Sequence, residues 1–101
     1  MRILVFFDLP TELVAQRAAY RTFRRYLLKN GFMMLQESVY CKLVPNAVVG
    51  DAVKDTVRRQ APKEGIVQML VLTEKQFSRM EYVVGANTSD ILNSDERLVI
   101  L

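Results

Sequence analysis

The stretch Arg2-Ile3-Leu4-Val5-Phe6-Phe7-Asp8-Leu9-Pro10 decides how this chain folds. Its β-branched and aromatic residues make it a strand over residues 2–8, with Ile3, Val5 and Phe7 on one face and Leu4 and Phe6 on the other. The strand ends on a carboxylate. Asp8 shares the face of Leu4 and Phe6 at the carboxyl end, where open sheets place their ligands. Aspartate also favours the kind of turn that precedes Pro10, so these residues alone leave a site and a turn as alternatives.

Working outward, residues 12 to 30 read as a helix, with Thr11 as its cap and Gly31 placed to end it in the left-handed conformation. Residues 32 to 44 read as extended chain with a kink at Gln36-Glu37, hence two strands. Pro45-Asn46 opens a second helix to about Ala61, with Val49, Ala52, Val53 and Val57 at helical spacing and Pro62 and Gly65 closing it. Ile66 to Thr73 is another apolar strand, and Thr73-Glu74-Lys75-Gln76 matches the reciprocal capping pattern of a short helix reaching Phe77 and Met80. Tyr82-Val83-Val84 is expected as a short strand, and Arg97-Leu98-Val99-Ile100-Leu101 as a terminal one. This order predicts an α+β, ferredoxin-like split βαβ sandwich, an antiparallel sheet with both long helices on one face. It forms a single domain over residues 1–101, with a core to about residue 80 and a C-terminal strand extension from 81 to 101.

That architecture leaves one sheet face without helices, yet the strands at 2–8 and 66–73 are apolar on both faces. Something must cover the second face. A copy of the same chain is the expected cover, giving a two-fold homodimer packed sheet to sheet; the alternative is cover in cis by residues 74–101.

The chain has 101 residues, no histidine and one cysteine, Cys41. A zinc site or a cysteine–histidine nucleophile is therefore disfavoured, and Cys41 is expected to be a small buried apolar side chain. No apolar run is long enough to cross a bilayer and no secretion leader is evident, so the expectation is a soluble, cytoplasmic protein with no membrane partner. The net charge of +3 is a mild hint of a polyanionic partner, and its distribution says more. Arg17, Arg21, Arg24 and Arg25 recur along one helix face, Lys29 continues it, and no acid interrupts. Ala19, Phe23, Tyr26 and Leu27 supply the opposite, core-facing side. A solvated face is the usual reading of such a run, but cations so spaced repel one another unless anions lie nearby, so the absence of interleaved acid favours nucleic-acid phosphate with the solvated face as the alternative. Arg58, Arg59 and Lys63 are explained more simply, as charges suited to the negative pole of the second helix.

If the face of Asp8 is the dimer face, two Asp8 carboxylates approach across the axis. Two such anions repel unless a proton or a divalent cation lies between them, and Mg2+, a hard cation content with one or two carboxylates, fits best. Without histidine, phosphodiester cleavage would fall to a metal-bound water. The apolar terminal strand, Leu98, Val99, Ile100 and Leu101, is an edge suited to pairing with the sister subunit or another partner.

Several segments together resemble the small CRISPR-associated Cas2 family, in its type II branch: Phe7-Asp-Leu-Pro-Thr11, Ala19-Tyr-Arg-x-Phe-Arg24, Gly31-Phe32, Ser38-Val-Tyr-x-Lys-Leu43, Thr73-Glu-Lys-Gln-Phe77 and Asn93-Ser-Asp-Glu-Arg-Leu98. The resemblance implies a ferredoxin-like homodimer that joins dimers of the CRISPR integrase Cas1 and carries duplex DNA during spacer acquisition. It also implies magnesium-dependent endonuclease activity on RNA or DNA, with Asp8 as the catalytic and metal-binding residue. Where the family often has tyrosine before that aspartate, this chain has Phe7. Two classes of function stand open: an architectural subunit, or a metal-dependent nuclease, including toxin-like endoribonucleases of the same fold.

Overall fold

The computed structural model describes residues 1–85. In chain order its elements are β1 (Arg2–Asp8), α1 (Val14–Lys29), β2 (Met33–Gln36), β3 (Val39–Leu43), α2 (Ala47–Gln60), β4 (Ile66–Leu72) and α3 (Glu74–Ser78). The strands form one sheet in the order β2-β3-β1-β4 with every pairing antiparallel. This is the ferredoxin-like arrangement expected from the element order. The doubly apolar β1 takes an interior place, paired on one side with β3 (Leu4 opposite Cys41) and on the other with β4 (Leu4 opposite Leu70). The kink expected at Gln36-Glu37 is the tight link between β2 and β3, where the register also slips between Met34 and Gln36.

Alternation along β1 builds the core. Ile3, Val5 and Phe7 point to the helix-covered face with Tyr40, where they meet Phe23 and Leu27 of α1 and Val57 of α2, all buried. Phe7 is the hub of this cluster, its ring centroid 5.4 Å from Phe23, 5.5 Å from Tyr40 and 5.9 Å from Tyr20. Losing a ring so enclosed costs about 3–5 kcal/mol. The register also turns position 7 toward the helices and Asp8 away from them, so a hydroxyl at position 7 would not share the face of Asp8.

Several boundaries differ from expectation. Helix α1 is capped at Leu13, not Thr11: the Leu13 N–H donates to Gln16 Oε1 at 2.9 Å, while the Thr11 carbonyl accepts from the Arg17 guanidinium at 3.1 Å. A long amide reaching back from the third helical position serves where the cap residue has no acceptor. Gly31 does end the helix with φ +85, and Asn46 caps α2 by accepting from the Val49 N–H at 2.9 Å. Of the spaced residues on α2, Val57 is buried and Val53 packs on the core, whereas Ala52 and Val49 are exposed. Tyr82-Val83-Val84 is not a strand; Val83 and Val84 are 86% and 89% exposed, and strand-favouring side chains need a neighbouring strand to pair with. The expected terminal strand, with Leu98, Val99, Ile100 and Leu101, lies outside the described residues.

The second sheet face is partly covered in cis. Arg2 reaches from β1 to α3, donating through Nε to both Glu74 carboxylate oxygens at 2.9 and 3.2 Å and stacking 4.2 Å from the Phe77 ring centre. Leu4 and Cys41 are almost fully buried beneath this corner, as expected for Cys41. Elsewhere on this face, among the described residues, Met33, Leu43, Ile66 and Leu70 are each about half exposed.

Candidate nucleic-acid interface and strand-end carboxylate

Arg17, Arg21, Arg24, Arg25 and Lys29 are all exposed on α1, because the helix turns Phe23 and Leu27 inward and leaves the opposite side to solvent. The helix contains no acidic residue, and the ion pairs among the described residues use other cations: Arg2 with Glu74, Lys54 with Asp51, and Arg58 with Asp55. The five are not equivalent. Arg24 Nε donates to the hydroxyl of the buried Tyr40 at 2.9 Å, and Arg17 Nη1 donates to the carbonyls of Thr11 and Glu12 at 3.1 and 2.7 Å. Arg21, Arg25 and Lys29 make no such side-chain bond among the described residues, so their charge is free to meet phosphate.

Asp8 is exposed at the end of β1, opposite Ile66, on the sheet face away from α1. The carboxylate and the arginine stripe are thus neighbours in sequence but lie on opposite sides of the sheet, an outcome of strand alternation. A shallow depression of about 330 Å³ opens beside Asp8, with Ser38, Gln68 and Ile66 on its wall. Gly65 shapes this corner: it has φ +88, and a Cβ there would come within 2.6 Å of the Asp8 carbonyl oxygen.

The described residues hold no group of three or more acidic, cysteine or histidine side chains arranged for a metal. Among the described residues that line this depression, Asp8 is the one carboxylate, with the Ser38 hydroxyl and the Gln68 amide beside it. That set is made of hard oxygen donors and suits Mg2+, provided that water, phosphate oxygens or a second Asp8 complete the shell.

A second group of cations, explained from the sequence only as charges at the negative pole of α2, is distinguished by the structure. Arg59 of α2 is exposed and donates to Thr56 Oγ1 at 3.1 Å, on the side of α2 that faces α1, whereas Arg58, its neighbour, pairs with Asp55. Charge counting alone cannot separate two adjacent arginines. Helical phase could, since they project about 100° apart.

The model of the CRISPR associated protein Cas2 family matches residues 1–80. A protein of Treponema denticola named CRISPR-associated endoribonuclease Cas2 is 46% identical over 101 residues, covering 100% of both chains. A relative of the same name from Streptococcus mutans is also 46% identical, over 100% of this chain and 93% of its own, and one from Ligilactobacillus salivarius is 39% identical over 100% of both. Among solved structures, the crystal structure of Streptococcus pyogenes Cas2 at pH 6.5 superposes with a TM-score of 0.63 at 25% identity, covering 83% of this chain and 100% of that one. The matched region carries the whole sheet, both long helices and the Arg2–Glu74 clamp, and relatives align from end to end: the chain belongs to the CRISPR-associated Cas2 family.

Proposed function

We propose that this chain is a subunit of CRISPR spacer acquisition, a homodimer closed sheet to sheet that bridges the Cas1 integrase and lays duplex DNA along the outer face of α1. The observation that carries this reading is the exposed, acid-free row of cations on α1. Arg21, Arg25 and Lys29 neutralise successive phosphates, and they offer no paired donors and acceptors aimed at base edges, so binding disregards sequence. The half-exposed apolar residues of the second sheet face receive the sister subunit, and the apolar segment Leu98 to Leu101 pairs with that subunit or with the integrase. Replacing Arg21 and Arg25 by glutamate should flatten the dependence of log affinity on log salt by about two phosphate contacts per chain, and weaken all duplex sequences alike. Unchanged affinity and slope in a folded variant would refute the reading.

A second reading, that the chain cleaves RNA or DNA, draws on the names of its relatives and on the exposed strand-end Asp8. In the dimer, the two Asp8 side chains would be the residues that hold Mg2+. What the bound cation supplies is charge to offset the phosphodiester and an acidified water. The chain's own part is to hold two carboxylates at a strand end and to leave the depression beside Ser38 and Gln68 open to substrate. The two readings part at Asp8→Asn, which ends cleavage in the second and leaves DNA carriage intact in the first.

A further inference from the structure

A small cavity of about 180 Å³ opens between α1 and α2, lined by Tyr26, Asn30, Phe32, Lys42, Val53 and Thr56. Its walls carry an excess of positive charge. Lys42 Nζ spends one donor on the Asn30 carbonyl at 2.6 Å and keeps the rest of its ammonium valence unspent, 6.0 Å from the Phe32 ring centre. Arg59 is anchored at the α2 side through Thr56 Oγ1 and has no acidic partner among the described residues. Its charge reaches across to α1: burial raises the Tyr26 hydroxyl above its ordinary range, and the Arg59 guanidinium pulls against that shift. Among the described residues no carboxylate lines the cavity, and Lys29 of the exposed stripe immediately precedes Asn30 on its wall.

We propose that this interhelical cavity, with Lys42 inside it and Arg59 at its edge, seats a backbone phosphate, so that the nucleic-acid footprint runs from α1 onto α2. The inference rests on the DNA-binding reading above and extends it to residues outside the stripe. An anion there meets an ammonium, a guanidinium and neutral hydroxyl and amide groups, with apolar walls from Phe32 and Val53 that limit competing water. The seat uses positive charge without any base-reading group, in keeping with a sequence-independent grip.

The adjacent arginines supply the test. Arg59→Glu and Arg58→Glu change net charge equally, and both side chains are exposed, so each variant should fold. Binding of a fluorescent 30-base-pair duplex (roughly three helical turns) to the full-length protein is measured across a salt series for both, beside Arg21→Glu with Arg25→Glu. Arg59→Glu is expected to weaken binding several-fold and to flatten the salt slope by about one contact per chain, while Arg58→Glu leaves the slope unchanged. Equal losses in the two single variants would reduce the effect to general charge and overturn the proposal, as would no loss in Arg59→Glu. If the double α1 variant still loses affinity in that case, only the α2 extension fails. If the double variant is unchanged as well, the DNA-binding reading itself fails.

Discussion

Arg24 shows how helical pattern can place a residue on the right face while its bonded partner lies beyond the pattern's reach. Helical spacing puts it on the exposed side of α1 with Arg21 and Arg25, which is where it lies, but its guanidinium is tied to the hydroxyl of Tyr40, a fully buried residue of β3. That partner sits 16 residues along the chain, and nothing local to the helix announces it. The bond gives a buried phenol its polar partner and links α1 to the strand that stacks on Phe7. Tyr40→Phe should lower stability by about 1 kcal/mol in urea denaturation, since Arg24 is left able to hydrate and no buried group goes unpaired. It should leave the salt slope of DNA binding unchanged; an altered slope would mean that the bond also positions the stripe. Asp8 was more legible. Its face followed from strand parity alone, and the same parity explains why it does not face the arginines.

Among the elements, those whose signals are local were readable from end to end. The Thr73–Gln76 pattern marks α3, and both halves of that capping box form, at 2.9 and 3.1 Å. Where α3 docks was not readable, because the clamp joins Arg2 to Glu74, 72 residues apart. That clamp has a pH signature. The hydrogen bond from Arg2 holds the Glu74 carboxyl below its ordinary range, with burial opposing and the Arg2 charge adding to the shift. An acid whose folded pKa is depressed stabilises the fold above its unfolded pKa and loses that contribution as pH falls through the folded value. Glu74→Gln should therefore melt below the unsubstituted protein at neutral pH, and the gap should close as the solution is acidified past the carboxylate range. A gap that is constant with pH would show that packing of α3, not the ion pair, holds this corner.

Among the described residues, the sheet is covered on one side by α1 and α2 and on the other at the corner held by α3. Of the two covers foreseen from the strands, α3 supplies a part in cis, and Ile66, Leu70, Met33 and Leu43, each about half exposed, are where we propose that a second copy packs. Light scattering should give twice the 11.6 kDa chain mass at micromolar concentration. A monomer would remove the sheet-to-sheet dimer and the paired Asp8 site together. On the function proposed above, the chain carries DNA for the integrase and needs its basic helix, not its strand-end carboxylate, to do so. The direct measurement is reconstituted spacer integration with the cognate integrase, comparing Asp8→Asn with the Arg21→Glu, Arg25→Glu double variant. Integration at the unsubstituted level is expected in Asp8→Asn, and its loss in the double variant; loss in Asp8→Asn with full integration in the double variant would overturn the DNA-carrier function.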